Sequence, residues 1–259
     1  MPSMRTRTDL RKGIWVRLIL LCFAAFLSVY AWWIEPRWLR VRDLQLALEP
    51  TLTIVHFSDI HYKGDDAFLR RVVTTVNQIA PDFACFTGDI VEDAALLEKA
   101  LDILRGIRCP LYGCPGNHEY WSGASLGKIE EAFQATGGAW LEDREAIWRE
   151  TVLIYGTGRG TALPRSEGEY SKRVLLSHYP ETAAGAKDAG FDLMLAGHSH
   201  GGQVRLPLLG ALIVPDGVGG YDRGVFETDA GVLYVSPGLG TWYIPVRFLC
   251  RPEITVVRF

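Results

Sequence analysis

Five apolar runs in this chain stop at side chains that can hold metals and move protons. LTIVHFS leads to Asp59 and His61, FACFTG to Asp89, and CPLYGCPG to Asn117, His118 and Glu119. RVLLS leads to His178, and DLMLAG to His198 and His200. Taken singly, each ending is an ordinary turn; Asn after Gly, for example, suits a left-handed cap. The chain has six histidines, however, and only His56 falls outside these endings. Five such endings are compatible with few folds: the runs have to be strands whose ends open at one place. His56 sits among Ile54, Val55 and Phe57 and reads as a core residue.

The segments between the runs set the fold class. DDAFLRRVVTTVNQIAPD carries an apolar stripe at helical spacing, with Asp65 or Asp66 as cap and Pro81 as stop. AALLEKALDILRG, closed by Gly106, and SLGKIEEAFQATGG read as two further helices. After them come strand candidates with little between: AIWRE, TVLIYGTG, RVLLSH, DLMLAG, QVRLP, VLYVSPG and EITVVRF. A β-α-β-α-β-α half followed by a mostly β half predicts an α/β protein of two packed sheets with helices on their outer faces. RLPLLGALIVP (205–215) reads as a hairpin of the core, with contact to acyl chains as the alternative.

The N-terminus is of another kind. Leu18 to Ile34 is uncharged for 17 residues, follows a basic segment, and ends near Trp32, Trp33 and Trp38. A bilayer span needs about 20 apolar residues, with about 17 as the lower limit. Starting at Ile14 reaches that length if Arg17 snorkels, and the tryptophans suit an interface. Residues 1–45 are therefore read as an uncleaved membrane anchor and linker, and 46–259 as one catalytic domain. A cleaved signal peptide ending at VYA, or a helix lying in the interface, are the other readings. Arg5, Arg7, Arg11, Lys12 and Arg17 precede the span, and Arg37, Arg40 and Arg42 follow it. That balance places the N-terminus inside a cell (inner) membrane and the domain outside. Five cysteines without disulfide or zinc spacing lean towards a reducing compartment instead. The net charge of −3 argues against a nucleic-acid partner.

Mixed oxygen and imidazole donors suit manganese, iron or zinc better than calcium or magnesium. No cysteine joins the set, which disfavours a structural zinc. Two divalent ions about 3.5–4 Å apart can clamp a phosphoryl group and activate a water. Residues i and i+2 of an extended strand point to one side, which would aim Asp59 with His61 and His198 with His200.

SDIH, TGD, GNHE, SH and GHSH, in this order, resemble the signature blocks of the calcineurin-like metallophosphoesterase superfamily. The resemblance covers about residues 50–259 and implies a four-layer α/β/β/α sandwich with two metal ions, manganese first. It implies that Asp59, His61 and His200 bind one metal, that Asn117, His178 and His198 bind the other, and that Asp89 bridges them. It gives His118 to the substrate phosphate and leaving oxygen, and Glu119 to orienting His118 through a hydrogen bond. GHSHGGQVRLPLLG and SPGLGTWYIPVRFLCRPEITVVRF are similar to the membrane-associated bacterial branch, which includes phosphodiesterases and a UDP-diacylglucosamine pyrophosphatase of lipid A synthesis. The text GDIVED departs from the GDxVDRG block of the protein phosphatases. The resemblance thus implies hydrolysis of a phosphodiester or pyrophosphate, with a lipid-linked substrate such as UDP-diacylglucosamine. An extracytoplasmic phosphodiesterase acting on an envelope diester is the alternative. An inactive metal-binding scaffold would have lost a ligand or His118, and none is lost.

Overall fold

The computed structural model describes residues 7–158, 163 and 168–259, and of residues 7–13 the backbone alone. Arg5 of the basic N-terminal cluster lies outside the described residues. Helix α1 (Arg7–Val29) continues through a π turn, Tyr30–Ile34, and a 3-10 turn, Glu35–Arg37. The first half of the domain then interleaves strands and helices. Its elements are β1 (Arg40–Gln45), β2 (Thr53–Phe57), α2 (Asp66–Ile79), β3 (Phe83–Thr87), α3 (Leu97–Leu104), β4 (Leu111–Cys114), α4 (Asn117–Trp121), α5 (Leu126–Gln134) and β5 (Ala139–Trp140). The second half is nearly all strand: β6 (Arg144–Trp148), β7 (Val152–Gly156), β8 (Lys172–Ser177), β9 (Leu193–Ala196), β10 (Arg205–Leu206), β11 (Gly210–Ala211), β12 (Gly224–Thr228), β13 (Gly231–Val235) and β14 (Glu253–Arg258).

Two six-stranded sheets result, ordered β1-β14-β2-β3-β4-β5 and β12-β13-β9-β8-β7-β6. Ile54, Phe83 and Cys85 of the first meet Ile154, Val174 and Leu195 of the second in the core between them. A strand buried on both faces needs an unbroken apolar run, and every residue of FACFT in β3 is buried. The outer face of the first sheet is closed by α2, α3 and α5. Helix α2 shows why: the Asp65 side chain accepts from the Phe68 N–H, and Leu69, Val72, Val73 and Val76 form its buried stripe. The fourth layer is thinner. Ala183, Ala186 and Phe191, from a 3-10 helix and the loop after it, cover Leu175, Met194 and Leu233.

Strands β2, β3 and β4 are parallel, as are β8 and β9, so five strand ends open along one edge of the sandwich. Four features differ from the sequence reading. Residues 40–45, read there as the end of a linker, form β1 and pair in parallel with β14. Helix α4 and β12 carry too short a pattern to be read. The 205–215 stretch does make a hairpin, β10–β11, but not in the core: Leu209 and Ile213 are each 74% exposed.

The end of α1 is fastened to the domain. Glu35 is fully buried, and its carboxylate accepts the N–H groups of Cys250 and of Leu249, the latter at 2.9 Å. The Arg247 N–H reaches the Ala31 carbonyl at 2.9 Å. Arg247, itself buried, donates from its guanidinium to the carbonyls of Pro237, Gly240 and Cys250.

Candidate metal centre

Most of the chemistry-bearing residues lie in the turns after their strands, and Asn117, His118 and Glu119 lie in the first turn of α4. Asp59, His61, Asp89, His198 and His200 all adopt left-handed backbone, with φ of 52°, 41°, 66°, 64° and 49°. For a non-glycine residue this costs roughly 1–2 kcal/mol each, so the surroundings have to impose it. The backbone N–H groups of Asp59 and His61 donate to the carbonyls of Gly88 and Asp89, at 2.9 and 3.0 Å, and hold two of these turns together. The convergence therefore comes from left-handed turns, and not from the alternation of an extended strand that the i, i+2 spacing suggested. Two glycines allow the close approach. A Cβ on Gly116 would lie 2.2 Å from Asp89 Oδ1, and one on Gly197 would lie 2.0 Å from Ser58 Oγ.

The turns gather Asp59, His61 and His200 on one side and Asn117, His178 and His198 on the other. His61 Nε2 lies 3.2 Å from His200 Nε2, and His200 Nε2 lies 3.5 Å from Asp59 Oδ1. In the second group, His178 Nε2 is 3.0 Å from both Asn117 Oδ1 and His198 Nδ1. Asp89 stands between them: its Oδ2 is 3.4 Å from His61 Nε2 and 3.3 Å from His178 Nε2. Donor atoms of Asp59, His61 and His200 lie within 4.8 Å of one another, as do those of Asp89, His178 and His198.

The outer nitrogens decide what the inner ones can do. His178 Nδ1 meets the Thr87 carbonyl at 2.7 Å, and His198 Nε2 meets the Asp216 carbonyl at 2.7 Å. A carbonyl can only accept, so each ring spends an N–H there. In a neutral imidazole the nitrogen facing the centre then carries a lone pair. Two inward nitrogens 3.0 Å apart, beside a buried carboxylate, call for a positive charge between them, a proton or a metal ion. The electrostatics agree. Burial pushes His178 and His61 down, but Asp89, with Glu92 helping at His61, overcomes it and raises both to about 9. Burial would raise Asp89, yet His178 and His61 hold it well below the usual carboxylate range. Burial and the neighbouring His178 push His198 down to about 4. The donor set thus draws cations inward, and divalent ions fit it.

His118 and Glu119 open α4. The His118 N–H donates to Asp89 Oδ1 at 2.8 Å, while its ring stands 4.7 Å from that of His61, centroid to centroid. Its Nε2 is buried without a hydrogen-bond partner, and burial lowers its pKa despite Asp89. Glu119 does not do what the resemblance implied. Its carboxylate accepts backbone N–H groups from Asp89 at 2.9 Å, Ile90 at 2.7 Å and Gly116 at 2.7 Å. These three bonds take up both oxygens, so Glu119 clamps the turns carrying Asp89 and Asn117 and leaves His118 alone. His56 is fully buried, donates from Nε2 to Thr87 Oγ1 at 2.9 Å, and is pushed down to about 3 by burial.

Three contributors escaped the sequence reading. Glu92 Oε1 lies 3.3 Å from His61 Nδ1, a charge contact off the line of a hydrogen bond, and 3.2 Å from Lys63 Nζ. Gln203 bridges to another loop: its Oε1 accepts the Trp242 N–H at 2.5 Å and its Nε2 donates to the Ile244 carbonyl at 3.2 Å. Arg247 fixes the 237–240 loop. Only the odd position of a charge inside an apolar run (IPVRFLC) could have pointed to Arg247. The centre opens into a cleft of about 730 Å³ whose lining includes Asp89, His118, Trp121, Tyr179, His198 and Trp242.

Residues 52–202, more than half of the chain, match the family model of the calcineurin-like phosphoesterases. The chain belongs to that family and is a hydrolase. It is 28% identical to the UDP-2,3-diacylglucosamine pyrophosphatase LpxG of Chlamydia trachomatis, over 95% of this chain and 97% of that one. It is 28% identical to the phosphodiesterase YaeI of Escherichia coli, over 88% and 91%. With the metallophosphoesterase YkuE of Bacillus subtilis it shares 29% identity over 88% and 87%. Among solved structures, TT1561 of Thermus thermophilus superposes with a TM-score of 0.51 at 15% identity, over 73% of this chain and 90% of that one, which shows the shared fold. The family and the clustered donors point to a dimetal site.

Proposed function

We propose that this chain is a membrane-anchored phosphoesterase with two metal ions, manganese first, that cleaves a phosphodiester or pyrophosphate bond of a lipid-linked substrate, UDP-diacylglucosamine being the first candidate. The observation that carries the reaction is Asp89, with Oδ2 between His61 and His178 at 3.4 and 3.3 Å. Asp59, His61 and His200 hold one ion; Asn117, His178 and His198 hold the other; Asp89 serves both. Bound there, the metals activate water and neutralise charge on the phosphoryl group. The chain's own residues do the rest. His118 lines the cleft with an unpartnered Nε2; it would bind the phosphate and, in its protonated form, give that proton to the leaving oxygen. Glu119 holds the two turns that carry Asp89 and Asn117 in register.

The lipid-linked substrate is supported by the similarity to LpxG and by the helical stretch Ile14–Arg37, α1 and the two turns that continue it, which is long and apolar enough to cross a membrane. A reading in which the domain lies outside the cytoplasm and cleaves an envelope diester draws support from the excess of basic residues before the span. Purified full-length protein with manganese should hydrolyse bis-p-nitrophenyl phosphate, and should cleave UDP-diacylglucosamine at its pyrophosphate, read by phosphorus NMR. Folded protein inactive with every divalent metal would sink the phosphoesterase reading. A reporter fused to the C-terminus decides between the two sides: a cytoplasmic domain favours the UDP-linked substrate, and an external one the envelope diester.

A further inference from the structure

An apolar cavity of about 410 Å³ lies beside the metal cleft, lined among others by Trp32, Val204, Leu212, Ile213, Tyr243 and Ile244. Its size falls within the range of small-ligand pockets, about 300–1,000 Å³. His200, Pro215 and Trp242 line both spaces, so the apolar cavity and the metal cleft meet at a residue of the metal centre. Its walls come from three places: the β10–β11 hairpin, the 242–246 loop, and the π turn that continues α1, through Trp32. They are tied to one another. Gln203 bonds to the 242–244 backbone, and Glu35 and Ala31 lock the end of α1 onto residues 247–250.

The rim is equally apolar. Leu209, Ile213 and Tyr243 are 74%, 74% and 83% exposed, and Trp33 on the apolar helix is 67% exposed. A water-facing surface seldom carries such a patch without a partner. What meets it is indicated by continuity: the patch joins the only helix among the described residues long and apolar enough to span a bilayer.

We infer that this groove seats an alkyl chain of the substrate itself, drawn from the bilayer that holds α1, while the phosphate lies over the metal centre. The inference rests on the phosphoesterase reading and specifies where its substrate's apolar part binds. The hairpin and the 242–246 loop dip into the same leaflet as the end of α1, and Trp32 forms the wall between bilayer and groove.

The test uses full-length protein in nanodiscs with manganese and a series of p-nitrophenyl alkyl phosphates from ethyl to octyl, all releasing the same p-nitrophenolate. Each methylene taken from water is worth up to about four-fold, so kcat/KM for octyl over ethyl should reach on the order of 10²–10³. Ile213→Asn, at an exposed position that folding tolerates, and Val246→Trp, which fills the groove, should each drive that ratio towards one. A wild-type ratio near one, or a ratio unchanged in both variants, overturns the proposal. An octyl diester with a terminal diazirine should label segments 203–215 and 242–246 on irradiation, whether or not turnover occurs. Labelling there without hydrolysis of any diester keeps the groove and removes the reaction reading. Hydrolysis with a flat chain-length series and labels elsewhere does the reverse. Labelling of the groove solely by photoactivatable phosphatidylcholine assigns it to bulk lipid, and the proposal falls.

Discussion

The two sheets bring different chemistry to one point. The first supplies both central carboxylates, Asp59 and Asp89, with Asn117, His61 and His118; the second supplies the imidazoles of His178, His198 and His200. Both central carboxylates therefore come from one side, and three of the four proposed imidazole ligands from the other. The sheets also reach that point differently. The first is backed by three helices, and its turns are clamped by Glu119 and by the 237–240 loop that Arg247 holds, whereas the second is covered by a 3-10 helix and loops. Away from Asp89 and His178 the halves meet mainly through apolar packing, with polar ties such as Thr255 Oγ1 to Tyr234 and the His198 N–H to Asp59. The site is thus a seam, strong in charge on one lip and adaptable on the other.

That contrast can be broken at its strongest point. Asp89→Asn removes the charge on which both groups depend, so metal content should fall and hydrolysis should drop to background. Mass-spectrometric metal analysis beside the diester assay reads both, and a variant with full metal and wild-type turnover would refute the seam. His118→Asn touches the same lip without removing a proposed ligand. Metal content should stay while turnover falls about 10²–10⁴-fold, the usual worth of one acid–base group; an emptied site would make His118 a ligand. Glu119→Gln tests the clamp. A glutamine turns an N–H₂ against a backbone N–H, and unfolding in urea should show a loss of about 2 kcal/mol. Wild-type stability there would mean that the turns hold themselves.

His56 gives the smallest and sharpest test, because it lies behind the first sheet's lip and holds no metal. Its folded pKa of about 3 lies below the ordinary 6.5, so the unfolded chain binds the extra proton between these values. Its contribution is complete above pH 6.5 and is lost as the pH falls towards 3. Between pH 7 and 5 that amounts to about 2 kcal/mol. His56→Leu should flatten the dependence of stability on pH in this window, measured by urea unfolding at both values; an unchanged slope would mean that His56 charges inside the fold.

Legibility followed the same division. In the first half, helical stripes such as Leu69, Val72 and Val76 and apolar strands such as FACFT are local patterns, and local patterns can be read. The donors were visible because five of six histidines, with Asp and Asn beside them, fall at the ends of apolar runs, a coincidence that single turns do not explain. What stayed hidden was non-local. β1 exists through its pairing with β14, some two hundred residues away, and its RVRDLQ text has no apolar alternation strong enough to announce it. The hairpin 205–215 looked like core because apolar text says how much surface seeks cover, not what covers it. The part assigned to Glu119 missed three backbone partners, since a sequence shows carboxylates but not the N–H groups turned towards them.

The fastening of α1 has a practical side. Glu35 receives the Cys250 N–H, and the Cys250 thiol in turn donates to the His200 carbonyl at 3.3 Å. The end of the apolar N-terminal helix and His200 are thus separated by a single residue's two hydrogen bonds. A shortened gene that begins after residue 35, the obvious choice for making a soluble enzyme, would leave the N–H groups of Leu249 and of buried Cys250 without their acceptor at that very joint. Whatever such a fragment reports about metal affinity or rate is measured on a hinge that has lost its pin; a fragment that begins a turn earlier keeps it.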